Sequence, residues 1–275
     1  MIPVAFDYFR AGSVDEALEL LAEHGDEAKL MAGGHSLLPM MRFRLAVPSV
    51  IVDIDRLSDL SYVRDGGDHL AIGALTRHHV VERDALILDH APLLAAVTAN
   101  VGDPQVRHRG TIGGSLAHAD AAADTPSALL AHDGSVVVRA AGGGERVIPA
   151  TEFFTGFLES ALTEEEMITE VRIPKATASS WGFQKFNRRA QDWAIVGVSV
   201  QRVGDSARVA LVNMSPTPMR AAAVEAALGE GASAAEAAAQ ATVGTHPSSD
   251  LNASVSYREH LARVLVKRAL IDAGL

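Results

Sequence analysis

Residues 28–36 read AKLMAGGHS: a short apolar run, two glycines, then a histidine and a serine. The run is read as a strand over residues 28–32, and the glycines mark its exit into a loop. Without a Cβ, Gly-Gly lets backbone amides approach a ligand closely. Successive amides in such a turn form an anion-binding concavity, the backbone chemistry of a phosphate cradle. The loop is too short for a Walker phosphate loop, and its spacing is not that of a dinucleotide fingerprint.

Upstream, SVDEALELLAEH at 13–24 predicts a helix. Ser13 and Glu16 make a capping box, Val14, Ala17, Leu18 and Leu21 share a face, and Gly25 stops it. Downstream, 37–45 is a short helix or an irregular apolar segment, and SVIVDID at 49–55 reads as a buried strand. Strand, glycine turn, crossover and strand predict a small parallel unit in the first 55 or so residues. The middle of the chain changes character, with strands expected at 69–73, 135–138 and 170–173 and helical segments at 77–84 and 92–99. KATASS at 175–180 reads as a linker. Strands are expected over 182–186, 194–203 and 207–213, followed by helices with capping boxes Ser233/Glu236 and Ser256/Glu259. The fold class is α+β.

Composition narrows the function. The 275 residues are 48% hydrophobic, enough for a sizeable core, and carry 34 acidic against 24 basic side chains for a net charge of −10. That balance disfavours nucleic acid and anionic membranes as partners. With no cysteine, the chain offers no disulfide, thiolate metal site, iron–sulfur ligation or thiol nucleophile. The N-terminus lacks the pattern of a signal peptide and no apolar run reaches the roughly 18 residues of a membrane span. A soluble, cytoplasmic protein is expected.

A second glycine pair stands in TIGGS at 111–115. It is expected to be another turn, with the Ser115 hydroxyl available to a phosphate oxygen. Two such turns converging would clamp a diphosphate; alternatively each is simply a tight turn. Asp120 and Asp124 either accept hydrogen bonds from a ligand or cap a helix beginning near Pro126. His78, His79, His108, His118 and His132 lack metal-ligand spacing and read as hydrogen-bonded or surface side chains. No G-x-S-x-G elbow is present. In FQKFNRRAQDWAIVG at 183–197, Arg188 and Arg189 read as a solvated turn or a subunit contact. Lys185 is placed on one strand face and Phe183 on the other, the lysine half-buried between aromatics and able to stabilise negative charge on a bound ring.

AGGHSLLPMMRFRLAVPSVIVDI, TIGGSLAHADAAADTP and KFNRRAQDWAIVG, in this order, resemble the FAD-binding medium subunit of the molybdenum hydroxylases, the family of xanthine dehydrogenase and aerobic carbon monoxide dehydrogenase. The similarity runs nearly end to end. It implies an FAD-binding domain over 1–175, with a small parallel α/β subdomain at about 1–57 and an antiparallel subdomain at 58–175, then a C-terminal domain of antiparallel strands and helices at 181–275. It implies that Met31, Ala32, Gly33, Gly34, His35, Ser36 and Leu37, with Thr111, Gly113, Gly114 and Ser115, surround the cofactor, the two glycine loops binding its diphosphate. By the same resemblance Asp124 lies near the cofactor, Ile168 against its rings, Lys185 near the isoalloxazine and Trp193 beside the flavin. Ser115 departs from the asparagine of many relatives, exchanging an amide contact for a hydroxyl one.

The function implied is that of an FAD-carrying electron-transfer subunit, with no catalytic side chain and no metal of its own. Its partners would be an iron–sulfur small subunit and a molybdopterin large subunit, in a dimer of heterotrimers, with NAD, quinone or oxygen as the acceptor. The rival readings are a free-standing FAD-dependent oxidoreductase and a binding module that kept the fold without the flavin.

Overall fold

The structure is a computed structural model that describes residues 2–175 and 180–275. The linker expected over 175–180 rests on residues 176–179, outside those described. Three larger sheets and a two-stranded one, Phe154–Gly156 with Glu159–Ser160, organise the described residues. The first is parallel, with Val50–Asp53 central between Asp7–Arg10 and Ala28–Met31. The parallel unit read from the sequence is therefore present, with a third strand, Asp7–Arg10, that the reading did not include. All four of that strand's residues are exposed, so no buried face marked it. The central strand is buried at every position, as a strand covered on both faces must be. Its cover includes the Val14–His24 helix, whose Ala17, Leu18 and Leu21 enter the N-terminal core. Ser13 caps that helix through Glu16 N at 3.1 Å, but the Glu16 carboxylate accepts from Gly12 N, so the capping box is half formed. The apolar segment after the glycines is helical over Leu37–Phe43 and ends with Arg44 in the left-handed region.

The second sheet is antiparallel and five-stranded, in the order Val63–Asp65, His69–Gly73, Glu166–Pro174, Ser135–Ala140, Glu145–Pro149. The central Glu166–Pro174 strand is longer than the segment expected at 170–173, and its register shifts between Ile168 and Glu170. Helices Pro92–Ala99 and Thr125–His132 pack on this sheet's core. Every residue of Thr125–His132 is buried. A helix without a polar face belongs between two layers, and this one separates the second sheet from the third.

The third sheet is antiparallel: Trp181–Phe186, Val196–Val203, Ser206–Val212 and Met219–Arg220, in that order. Its other side is covered by Ala222–Gly229, Ala234–Ala239 and the long Val255–Asp272 helix. The Ser233/Glu236 box forms in full. The final helix, however, starts two residues earlier than its expected box, with Ser254 capping Tyr257 N in place of Ser256 with Glu259. Where the third sheet meets the buried helix, Ser127 and Ser199 share a hydrogen bond of 2.7 Å. Among the described residues no helix is long and apolar enough to cross a membrane.

Candidate functional site

A cleft of about 770 Å³ opens where the three sheets meet, within the roughly 300–1,000 Å³ range of ligand sites. Its floor is the exit of the Ala28–Met31 strand. There the backbone N–H groups of Gly33, Gly34, His35, Ser36 and Leu37 donate to no protein acceptor among the described residues. Five neighbouring free donors at the start of a helix make a strong anion cradle. Gly34 adopts φ +74°, open to glycine at little cost. Gly33 is required for another reason: a Cβ there would stand 1.9 Å from the Arg109 carbonyl oxygen. The first glycine pair is thus wedged against the chain leading to the second.

The second pair is not a turn. Thr111 is the N-cap of a helix over Ile112–His118, and Gly113 and Gly114 lie in its first turn. Their amides are occupied, Gly113 N by Ala74 O at 2.9 Å and Gly114 N by the Thr111 hydroxyl at 3.2 Å. The expected pair of amide cradles is therefore one cradle and one close wall. Gly113 fits against Ala74, while exposed Gly114 faces Ala32, whose Cβ would be 4.0 Å from an added Cβ. The Ser115 hydroxyl is shared with Thr125 at 2.6 Å.

Arginines lock the two segments together. Arg77 donates to the Arg109 carbonyl and to Asp55, and Arg109 pairs with Asp55 at 3.3 Å. Burial alone would raise the Asp55 carboxyl, but the two guanidiniums outweigh it and hold it below the ordinary carboxylate value.

The far wall carries Asp124 and Lys185. The Asp124 side chain caps no helix; one of its oxygens accepts from Lys185 Nζ at 2.7 Å, and Lys185 also donates to Asn100 O at 2.9 Å. The other oxygen, Oδ1, is buried and has no partner. Burial raises the carboxyl to about 6 even with the ammonium beside it. A buried acceptor left open at a cleft calls for a donor from whatever fills it. The placement of Lys185 and Phe183 on opposite strand faces is corrected here. Residues two apart share a face, and Trp181 and Phe183 pack on the same middle core beside which Lys185 meets Asp124.

All fifteen residues singled out from the sequence line this one cleft: Met31 to Leu37 on the floor, Thr111, Gly113, Gly114 and Ser115 beside it, Asp124, Ile168 and Lys185 on the walls, and Trp193, 56% exposed, at the rim. Ile168 sits at the register shift of the central strand, a distortion common beside functional sites. The sequence reading missed Val101, Gly102, Gly110, Leu158 and His78, which also line the cleft. Gly102 and the Asp103-Pro104 pair after it carry a turn signal that points to this part of the cleft. Leu158 gave none, being a non-glycine residue at φ +58° between the short strands Phe154–Gly156 and Glu159–Ser160. His78, expected to be hydrogen-bonded or at the surface, is 3% exposed with its Nδ1 unpartnered, and burial together with Arg107, Arg77 and His35 lowers its pKa to about 4. Among the described residues no group of three or more metal-binding side chains is assembled.

The free amides, the open Asp124 oxygen and the apolar walls suit an elongated ligand with an anionic centre and a ring bearing hydrogen-bond donors. Residues 4–176 match the family described as the FAD binding domain in molybdopterin dehydrogenase, and residues 181–273 match the CO dehydrogenase flavoprotein C-terminal domain. The carbon monoxide dehydrogenase medium chain of Hydrogenophaga pseudoflava is 38% identical over 98% of this chain and 97% of its own length. The alpha subunit of the 6-hydroxypseudooxynicotine dehydrogenase complex of Paenarthrobacter nicotinovorans is 40% identical over 99% and 96%. A solved structure of the Hydrogenophaga pseudoflava carbon monoxide dehydrogenase superposes with a TM-score of 0.94 at 39% identity, covering 100% of this chain and 99% of that one.

Proposed function

The chain belongs to the FAD-binding molybdopterin dehydrogenases, as an oxidoreductase medium subunit of the carbon monoxide dehydrogenase type, and from that premise we propose that it is the electron-transfer subunit of a molybdenum hydroxylase complex. In this reading it takes electrons from iron–sulfur clusters of a small subunit and passes them to an external acceptor. A large subunit carries the molybdopterin and the substrate, and the complex is a cytoplasmic dimer of such heterotrimers. FAD, when bound, supplies the redox chemistry, accepting electrons singly and storing two.

The chain's own part is to bind, orient and tune. The amides of Gly33 to Leu37 would hold the diphosphate, and Gly114 would leave it room. Ile168 and Trp193 would serve the rings, and Asp124 and Lys185 would offer them an acceptor and a cation. No side chain acts as acid or base. The FAD-binding domain occupies 1–175 and the C-terminal domain 181–275. The observation that carries this reading is the row of unpaired amides at the first glycine pair, set beside a buried acceptor with an open lone pair. Relatives of similar identity bear the names of complexes acting on carbon monoxide and on 6-hydroxypseudooxynicotine. That spread fits a medium subunit that does not choose the substrate.

The test is an absorbance spectrum of the chain purified from its native source, with co-purifying proteins identified. Flavin bands, releasable FAD, and two partners carrying iron–sulfur and molybdenum are expected. Flavin bands without partners would favour the free-standing oxidoreductase. A colourless chain that FAD does not reconstitute would favour the binding module.

A further inference from the structure

Asn213 does not line the cleft, yet it bonds from behind to segments that carry two of the cleft's residues, Asp124 and Trp193. It follows directly on the Ser206–Val212 strand and sits in the left-handed region at φ +59°. Asparagine is among the few side chains that tolerate this conformation. Its backbone N–H donates to Ala121 O at 2.7 Å, in the turn that leads to Asp124. Its side-chain Nδ2 donates to Ala194 O at 2.8 Å, next to Trp193. Ala121 and Ala194 are 5% and 1% exposed, so neither carbonyl has water to fall back on. The segment between Phe186 and Val196 is otherwise closed by Ile195 N donating to Phe186 O at 2.7 Å and by buried Arg258 donating to Ile195 O.

We propose that Asn213 is a positioning residue for the flavin site: one residue of the third sheet sets the distance between the Asp124 turn and the Trp193 rim. The left-handed backbone is what makes the double contact available. The N–H to Ala121 is directed by the peptide that ends the strand, and the positive φ at Asn213 then turns the side chain toward Ala194, where an extended φ would send it elsewhere. The inference rests on the cleft being the cofactor site. It adds that the ring's surroundings are set from outside the cleft, by a residue that never meets the ligand.

Two substitutions separate the contacts. Asn213→Gly keeps the left-handed backbone and the bond to Ala121 while deleting the bond to Ala194. Asn213→Asp keeps the shape and removes the donor. The chain has two tryptophans, Trp181 and Trp193, so 5-fluorotryptophan labelling gives two ¹⁹F resonances, assigned with Trp193→Phe. In both variants the Trp193 resonance is expected to shift or broaden while that of Trp181 stays in place, and melting falls modestly because one buried carbonyl has lost its donor. FAD affinity should weaken by up to roughly five-fold, the limit in which the whole of one neutral hydrogen bond serves the binding-competent arrangement. An unmoved Trp193 resonance in both variants, or displacement of both tryptophans together, overturns the proposal. The resonances are read in flavin-free and FAD-saturated chain. If the unsubstituted chain fails to bind FAD, the functional reading fails while the flavin-free spectra still decide whether Asn213 holds the rim.

Discussion

Gly33→Ala adds one methyl group at the point where the two glycine segments meet. An added Cβ would lie 1.9 Å from Arg109 O, 2.7 Å from Arg109 C and 3.2 Å from Gly110 Cα. All three are backbone atoms, so no side chain can turn away. Reaching ordinary contact at 3.4 Å requires the segments to part by about 1.5 Å. Arg77 resists that movement, because it is bonded to the same Arg109 carbonyl and to Asp55. Overpacking of this kind costs about 1–3 kcal/mol. If the cost falls on the arrangement that binds the cofactor, the FAD dissociation constant rises about ten- to hundred-fold. The assay is a fluorescence titration of flavin-free chain with FAD, with melting followed in parallel. A dissociation constant within two-fold of the unsubstituted chain would refute the idea that contact between the segments shapes the cradle.

Lys185→Met leaves the Asp124 carboxylate buried with no partner on either oxygen. Breaking a buried pair costs roughly 3–5 kcal/mol while the remaining group is charged, so urea unfolding should show a large loss at pH 8 and a smaller one at pH 5, where the carboxyl is neutral; equal losses would remove the pair from the account. His132 is fully enclosed, and burial, reinforced by Arg208, lowers its pKa from 6.5 to about 4. The unfolded chain therefore binds more protons in that window, and stability falls as pH drops through it. His132→Asn should flatten this acid limb by up to about 1.4 kcal/mol per pH unit. Asp124 runs the other way: its folded carboxyl is raised from 3.8 to about 6, so the stability it contributes is lost as pH rises across that interval. Asp124→Asn should accordingly steepen the limb that His132→Asn flattens, and the same direction of change in both variants would contradict the assignment.

What the sequence disclosed and what it hid follow from how local each feature is. The Ala28–Met31 strand and its glycine exit were legible because an apolar run and a backbone requirement adjoin in nine residues. The Ile112–His118 helix was misread as a turn because glycine is the poorest helix former after proline. Its formation depends on Thr111 capping the first turn and on Ala74 and Thr76 receiving the next amides, partners more than thirty residues away. The edge strand Asp7–Arg10 had no buried face to show. Asp124 stayed open between cap and ligand contact because the partner that draws its carboxylate away from the helix, Lys185, lies 61 residues later. The resemblance brought the fifteen site residues into one list, and the fold brings them into one cleft. Leu158 and Asn213 escaped both, since neither residue type announces a left-handed backbone with the certainty of glycine.

If the unpaired amides at the first glycine pair hold the diphosphate of FAD, calorimetric titration of flavin-free chain with FAD, riboflavin and ADP yields one tight site for FAD, riboflavin binding weaker by orders of magnitude, and competition by ADP. Riboflavin binding as tightly as FAD, with ADP without effect, would mean that the amides do not hold the diphosphate.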